Sequence, residues 1–486
     1  MTSATTSSHG NVLAVLDARA PTSFYWSLTL LATIGGFLFG FDTSNIGSAL
    51  DFVPYHLSGF ALGYLVAGAS LGAAAGALLA GPLTDRFGRK SLMIADAAIY
   101  AIGAILSAVT PDATVLLISR TLIGLAIGAD SAIATAYIAE YAPRQRRGAL
   151  AMLQQWMITV GILLAYVIAI IILKLMPGHT GELDWRLILG IGALPALIGV
   201  VLRARMPESP RWLLRKNRYE DVRTAMGKLG IEVSMDDVQR TAHALHEADA
   251  NASRSGRRVW TAGVRRALFV VCVFFAFQQL TGINVPLYYG PHLLGPLFQG
   301  GDTSQVAATT AGVEVTAIMT VVNVAATYVA FRYIDRIGRR PLAIGGYLGM
   351  MVFALVAAAG LTFFTGNARI VVIMIGLCAF IGSFAIGVGG TGWLIQGEAF
   401  PTQVRGQAAS IGATVDWLAN FLVIELFPVA QSGVGLGWVL VGFAVLAVFA
   451  LAFVVKFLPE TKGHSVEEIT EIFERQAQRI PVGATT

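Results

Sequence analysis

Twelve long apolar runs limit the possible folds of this chain more than any other feature. Each has about 20 or more residues, enough for a helix to cross a bilayer core of roughly 30 Å. The runs lack the alternation of a membrane barrel, and inside a bilayer a helix satisfies its own backbone amides. With 55% apolar and 13% charged residues, the composition agrees. The predicted fold class is an all-α membrane protein with twelve transmembrane helices.

The predicted spans form two groups of six around a polar stretch. They cover residues 23–49, 57–81, 91–110, 114–140, 149–173 and 185–204, then 264–290, 306–333, 341–365, 370–397, 406–430 and 434–457. The predicted domains are an N-terminal tail (1–22), a six-helix bundle (23–204), a linker with short surface helices (205–263), a second six-helix bundle (264–457) and a C-terminal tail (458–486).

Three charged motifs occur twice, in the same order and about 250 residues apart. The pairs are Asp85-Arg-Phe-Gly-Arg89 with Asp335-Arg-Ile-Gly-Arg339, Glu140-x-x-Pro-x-x-x-Arg147 with Glu398-x-x-Pro-x-x-x-Arg405, and Pro207-Glu-Ser209 with Pro459-Glu-Thr461. Such repetition indicates an internal duplication, so the chain consists of two similar halves. In the second predicted span, Gly68, Gly72 and Gly76 share one face, a spacing that permits close contact between helices.

Basic residues concentrate on one side of the predicted spans. They are Arg86, Arg89, Lys90, Arg144, Arg146, Arg147, Arg332, Arg336, Arg339, Arg340 and Arg405. By the positive-inside rule, this side, the linker and both termini are predicted to be cytoplasmic, in a multi-pass protein of the cell (inner) membrane.

The repeated charges lie at helix ends on that side, where opposite charges can bridge neighbouring helices. We predict that they form a cytoplasmic latch that holds this side shut: Asp85, Arg89, Glu140, Arg147, Asp335, Arg339, Glu398 and Arg405. The alternative is charge that only sets topology, together with surface ion pairs of little energy.

Three further strings are specific enough to indicate a family. They are Pro207-Glu-Ser-Pro-Arg-Trp-Leu213, Gln278-Gln-Leu-Thr-Gly-Ile-Asn284 and Pro459-Glu-Thr-Lys-Gly463. With the duplicated basic turn, they make the chain resemble the sugar porter branch of the major facilitator superfamily over nearly its whole length. The resemblance implies two six-helix bundles around a central site that opens alternately to each side. It also implies substrates such as hexoses, pentoses or polyols.

Two ionisable residues, Asp42 and Arg120, fall within predicted spans, where charge is costly and usually functional. The resemblance pairs these positions and implies proton coupling for members that keep the aspartate. Protonation of Asp42 would release Arg120, so the pair could link a proton to a conformational change. The alternative is a static buried ion pair. A proton is therefore predicted as the coupling ion, with no cofactor.

Amides and aromatic residues indicate the solute site. A buried amide needs a hydrogen-bonding partner, and a sugar hydroxyl both donates and accepts. The resemblance implies a substrate site at Gln278, Gln279, Asn284, Asn323, Trp393, Asp416, Trp417 and Asn420. The alternative for any single amide is contact between helices. Tyr288 and Tyr289 are predicted as an outer gate, with anchoring at the membrane interface as the alternative.

The chain departs from the family pattern at several acids and small residues. Ile162 replaces a glutamine, Asp416 a neutral polar residue and Asp130 a small or apolar one; Glu314 adds an acid, and Gly389-Gly390 replaces Gly-Pro. Arg120 is the only basic residue predicted in the middle of a span. Asp416 is therefore expected either to be protonated, as a hydroxyl donor or second proton site, or to pair with a substrate amine.

The leading interpretation is a proton symporter of a sugar or sugar-like solute. A proton-independent facilitator or an antiporter is the alternative within transport, and a transporter-like sensor is disfavoured by the short tail after the twelfth span. No nucleophile and base, metal cluster or Walker loop is visible, so an enzyme or a primary pump is not predicted. The predicted partners are a small polar solute and the lipid bilayer, with no nucleic acid. The protein is predicted to be a monomer.

Overall fold

The structure, a computed structural model, is helical over nearly all the residues it describes. These are residues 12–18, 23–55, 57–141, 147–176, 180–254, 260–298, 304–401, 404–464 and 466–478. The first half contains α1 (Val12–Ala18), α2 (Ser23–Ala32), α3 (Ile34–Ala49), α4 (Phe60–Phe87), α5 (Arg89–Val109), α6 (Ala113–Tyr141), α7 (Arg147–Leu175), α8 (Trp185–Gly190) and α9 (Ala193–Ala204).

Three short helices separate the halves, and ten helices follow. The three are α10 (Pro210–Arg215), α11 (Tyr219–Lys228) and α12 (Met235–Arg254). The ten are α13 (Ala262–Leu280), α14 (Asn284–Tyr288), α15 (Gly290–Phe298), α16 (Gln305–Ile337), α17 (Arg339–Phe363), α18 (Gly366–Gly387), α19 (Gly389–Glu398), α20 (Arg405–Val434), α21 (Leu436–Phe457) and α22 (Val466–Gln478).

Eleven stretches within the described ranges are long and apolar enough to cross a membrane. The remaining predicted span, the first, is broken at Thr33 into α2 and α3, of 10 and 16 residues. Thr33 Oγ1 donates to the carbonyl of Leu30 at 2.9 Å, a local bond that competes with regular helix geometry. The predicted all-α fold with twelve transmembrane helices is confirmed.

Close backbone contact joins α4 to α6 in the first half. An added Cβ at Gly72 would lie 2.1 Å from the Thr121 carbonyl oxygen, and one at Gly124 would lie 1.9 Å from that of Ala69. Only glycine fits at such a crossing. Gly76 meets α6 in the same way, whereas Gly68 faces the ring of Tyr64 on its own helix.

The short helices gather at one end of the molecule. Trp212, Val222 and Val238 of α10–α12 form a small apolar core with α1, whose Val12 N–H donates to Thr241 Oγ1 at 3.1 Å. At the start of α13, Gly263 packs against Glu474 of α22. We call this end, which carries the Asp85–Arg89 and Asp335–Arg339 turns, the basic face. The other end is called the opposite face.

Candidate functional site

A cavity lies between the two halves, at the middle of the spans. All eight residues predicted to bind substrate line it, from α13, α14, α16, α19 and α20: Gln278, Gln279, Asn284, Asn323, Trp393, Asp416, Trp417 and Asn420. Residues of α3, α6 and α7 complete the wall from the first half. The cavity is therefore shared between the repeats, where transporters hold their solutes. The role of each residue stays a prediction.

A chain of side-chain hydrogen bonds runs along one wall of the cavity. Gln279 Nε2 donates to Asp416 Oδ1 at 2.7 Å, and Asn284 Nδ2 donates to Gln279 Oε1 at 2.9 Å and to Asn420 Oδ1 at 3.2 Å. Asn420 Nδ2 in turn donates to Ser70 Oγ of the first half at 3.1 Å. This chain fixes the amides in position before a solute arrives, which lowers the entropy lost on binding.

Gln278 points to a different element from its neighbour. Its Nε2 donates to the Gly389 carbonyl at 2.8 Å, while its Oε1 is buried without a hydrogen-bond partner. This carbonyl belongs to the first residue of α19, directly after the tenth span breaks at Val388. The Trp393 ring packs on Phe275, with centroids 4.9 Å apart. An unsatisfied amide oxygen beside an aromatic ring is suited to a solute hydroxyl.

The cavity-lining residues of the first half were not predicted from the sequence. Gln154, Gln155, Ser131 and Thr135 line the cavity, and Thr135 Oγ1 donates to Gln154 Oε1 at 3.1 Å. The signal was available, because two adjacent amides in an apolar helix were the reason for choosing Gln278 and Gln279. Ile162 also lines the cavity, two turns from Gln155 on α7.

Asp42 and Arg120 form a bidentate ion pair inside the first half. Arg120 Nη1 and Nη2 donate to the two carboxylate oxygens at 2.5 and 2.8 Å, and Nε donates to the Leu65 carbonyl at 3.2 Å. The Arg120 side chain is fully buried and that of Asp42 is 5% exposed. Thr43, the next residue, lines the cavity. The pair thus lies directly behind the cavity wall.

Both tyrosines predicted as a gate are buried. Thr43 Oγ1 donates to the Tyr288 hydroxyl at 3.4 Å, so Tyr288 joins the halves. The Tyr289 hydroxyl donates to the Ile424 carbonyl at 3.0 Å, within the second half. Their exposed fractions of 1% and 2% do not fit anchoring at a membrane interface. The gate role stays a prediction.

The halves are joined at the opposite face. Asp51 accepts hydrogen bonds from His292 Nδ1 at 2.5 Å and Thr309 Oγ1 at 2.8 Å through its carboxylate, and from Gln305 Nε2 at 2.5 Å through its carbonyl. Glu314, whose function was left open, pairs with Lys174 at 2.6 Å in an exposed position. These contacts hold the two halves together at the opposite face.

The repeated charges at the basic face pair within each half. Arg89 lies 3.0 Å from Glu140 and 3.5 Å from Asp85. The second half repeats this: Arg339 lies 2.7 Å from Glu398 and 3.1 Å from Asp335. Arg405 Nε donates to the Phe400 carbonyl at 3.1 Å, and the side chain of Arg147 lies outside the described part of the chain. The latch stays a prediction.

The third repeated motif supplies a helix cap in each half. Its glutamate caps the helix that begins at the last arginine of the first repeated motif, which is α5 in one half and α17 in the other. Glu208 accepts from the backbone N–H groups of Arg89 and Lys90 at 3.0 and 3.2 Å, and Glu460 accepts from those of Arg339 and Arg340, both at 3.0 Å. Each carboxylate thus satisfies free amides at a helix N-terminus, where negative charge is favourable. The preceding Gly88 and Gly338 have φ of 92° and 108°, which favour glycine.

The two capping carboxyls differ in their environment. Burial raises the pKa of Glu208, although the N–H groups of Ser209, Lys90 and Arg89 oppose this effect. Burial acts in the same direction on Glu460, but hydrogen bonds from the N–H groups of Lys462, Arg339 and Arg340 outweigh it and lower its pKa.

We therefore expect Glu208 to become protonated at a higher pH than Glu460. Infrared pH titration measures this directly, because a protonated carboxyl has its own C=O band. The band lost in Glu208→Gln should appear earlier on acidification than the band lost in Glu460→Gln. Equal midpoints, or the reverse order, would contradict the assignment of burial as the dominant effect at Glu208.

A second buried cluster of charged residues contains side chains whose contact was not predicted from the sequence. Arg203 of α9 contacts Asp96 of α5 and Asp130 of α6, and the three side chains are 1 to 4% exposed. Arg120 stays the only basic residue predicted in the middle of a span, but Arg203 is just as buried although it lies at the end of one. Arg203 lies near the predicted end of the sixth span, where a basic residue normally marks topology.

Comparisons with known proteins agree with this architecture. The family model described as "Sugar (and other) transporter" matches residues 28–473. The glucose transporter GlcP of Staphylococcus epidermidis is 33% identical over 455 residues, covering 93% of this chain and 98% of that protein. The D-xylose-proton symporter of Escherichia coli K12 is 32% identical, covering 97% and 100%.

A solved structure has the same fold. The proton:xylose symporter XylE bound to 6-bromo-6-deoxy-D-glucose superposes with a TM-score of 0.77 at 30% identity, covering 93% of this chain and 99% of the other. The resemblance predicted from the motifs is confirmed. Members of this family are transporters, not enzymes, and need no cofactor. The chain is a multi-pass membrane transporter that belongs to the sugar porter family of the major facilitator superfamily.

Proposed function

We propose that this protein moves a neutral sugar or polyol together with a proton across the cytoplasmic membrane. The observation that carries the proposal is the buried Asp42–Arg120 pair, which adjoins the cavity through Thr43. A proton on Asp42 would cancel its charge and leave Arg120 without its counter-ion, so the first half would prefer another arrangement. The name of the relative from Escherichia coli, a D-xylose-proton symporter, supports this reading.

We also propose an orientation in the membrane and a division into domains. The basic face, both termini and the linker are assigned to the cytoplasm by the distribution of Lys and Arg. The domain limits remain those predicted from the sequence, with six-helix bundles at 23–204 and 264–457. We propose a monomer within the lipid bilayer, because both halves of one chain line the cavity and no second copy is needed to complete it.

The contacts of Asp416 allow two kinds of solute. Its Oδ1 accepts from Gln279 Nε2, and it lines the cavity. A protonated Asp416 would donate to a solute hydroxyl through its other oxygen while Gln279 still bonds to the first. An ionised Asp416 would instead favour a solute with an amine, such as an amino sugar. We propose the protonated form because it needs no cationic ligand.

Uptake into proteoliposomes tests both parts of this proposal. Hexoses, pentoses, inositols and glucosamine are offered with the outside acidified, and a protonophore serves as the control. A symporter accumulates its solute above the outside concentration only while the proton gradient lasts, whereas a facilitator merely equilibrates it. If glucosamine competes better than glucose, and Asp416→Asn removes that preference, the solute is cationic and the neutral assignment is wrong.

A further inference from the structure

We propose that Asp96 and Asp130 share one proton, as a second proton-binding site at the break in the first span. The site is separate from the Asp42–Arg120 pair, because residues 120 and 130 are about 15 Å apart along α6. It does not depend on which solute is carried. It adds a protonatable group to the first half alone, on the side of that half towards the basic face.

The contacts of Arg203 define the site. Its Nη1 donates to Asp96 Oδ1 at 2.8 Å, and its Nη2 lies 2.6 Å from Asp130 Oδ1. The three residues come from three different helices, and each is almost completely buried. Two carboxylates and one guanidinium would leave a net negative charge inside the membrane, which is costly. One proton on the aspartate pair makes the cluster neutral.

The positions of the carboxylate oxygens indicate where the proton lies. Asp96 Oδ2 and Asp130 Oδ2 are buried without a hydrogen-bond donor, although the two carboxyl groups are within hydrogen-bonding reach of each other. Two ionised carboxylates at that separation repel each other, whereas a shared proton turns the contact into a strong hydrogen bond. The missing donor is therefore the proton itself.

The described groups that face the aspartates leave no other source of compensation. The charged groups acting on Asp96 are Asp130 and Arg203, and those acting on Arg203 are the two aspartates. On α2 and α3 the cluster contacts backbone atoms and Gly35, which carry no charge. A metal cation is disfavoured because the Arg203 guanidinium already contacts both carboxylates.

The cluster contacts both sides of the break in the first span. Arg203 Nη2 and Nε donate to the carbonyls of Ala32 and Leu31 at 3.1 and 3.4 Å, in the last turn of α2. The Asp130 carboxylate lies against Gly35 in the first turn of α3, where an added Cβ would fall 1.5 Å from Oδ2. Gly35 and Ser131 also line the central cavity. Loss of the shared proton would therefore act on the junction of α2 with α3, at the cavity wall.

Carboxyl protonation can be counted by solid-state NMR on the whole protein with [13C]aspartate, at neutral pH in lipid. Asp416→Asn serves as the background, so that Asp416 does not contribute. We expect one protonated aspartate signal that Asp42→Asn leaves in place. Asp96→Asn and Asp130→Asn should each remove it, and the double variant should remove no more than one. Asp236→Asn, an exposed aspartate on α12, is the matched control and should change nothing.

If a variant fails to fold, the proposal can still be tested on the background protein, in which Asp96, Asp130 and Arg203 are unchanged. A background protein without any protonated aspartate at neutral pH overturns the proposal, because the cluster is then a fully ionised ion triplet. Retention of the signal in both Asp96→Asn and Asp130→Asn also overturns it, since the proton then belongs elsewhere. Failure of proton-driven uptake in the proteoliposome assay would leave this result unaffected, because the count does not require transport.

Discussion

Replacing Asp42 by asparagine is expected to abolish accumulation of the solute against its gradient, while exchange of solute across the membrane continues. The carboxylate makes two short bonds to a fully buried guanidinium. Asparagine keeps the shape and one acceptor, but it cannot bind or release a proton near neutral pH. The group that titrates is lost, whereas the amides of the cavity wall are unchanged.

The measurement is uphill uptake and counterflow in the same proteoliposomes, with Asp112→Asn, an exposed aspartate at the start of α6, as the control. Undiminished uphill uptake by Asp42→Asn would remove this residue from coupling. Arg120→Ala is a poorer test, because it strands a buried carboxylate. Breaking a buried pair in this way typically costs about 3–5 kcal/mol of stability, so loss of activity would not separate coupling from folding.

Truncation of Gln279 or Asn284 to alanine is expected to weaken solute binding by about 1–3 kcal/mol each, the usual cost of an unpaired buried hydrogen-bonding group. That range corresponds to roughly tenfold in affinity for every 1.4 kcal/mol. Gln279→Ala should have the larger effect, because it also removes the donor to Asp416 and the acceptor for Asn284.

Equilibrium binding in detergent measures this loss, and thermal unfolding checks the fold. Thr362→Val is the matched control, since its hydroxyl bonds to the Ala358 carbonyl of its own helix, away from the cavity. The double variant should lose less than the sum of the single losses, because the two amides bond to each other. Normal binding by both single variants would mean that these amides only join helices.

The sequence predicted most of the fold because its physical signals are strong and local. Runs of about 20 apolar residues identify membrane helices, and repeated charged strings identify the two halves. The amides at Gln278 and Gln279 stood out against an apolar background, and the structure brings both to the cavity. The pairing of Asp42 with Arg120 came from the family resemblance and is present as a bidentate contact.

Side-chain contacts that depend on how one helix is rotated against another could not be predicted from the sequence. Asp96 and Arg203 are 107 residues apart, and their contact requires α5 and α9 to present matching faces. Asp130 was recognised as unusual for the family, but it had no evident partner. Arg203 lies near the predicted end of the sixth span, where a basic residue normally indicates only the orientation of the helix in the membrane. The break at Thr33 was missed as well, since one threonine in an apolar run carries no helix-breaking signal comparable to proline.

The caps formed by Glu208 and Glu460 have a consequence for biosynthesis. Glu208 bonds to an amide 119 residues earlier, and Glu460 to one 121 residues earlier. A ribosome must therefore make the end of the sixth span before the first turn of α5 can be completed, and likewise the twelfth before α17. Since domains fold largely as units, from the N-terminus during synthesis, the shortest nascent chain that completes one capped turn of the basic face is one whole half.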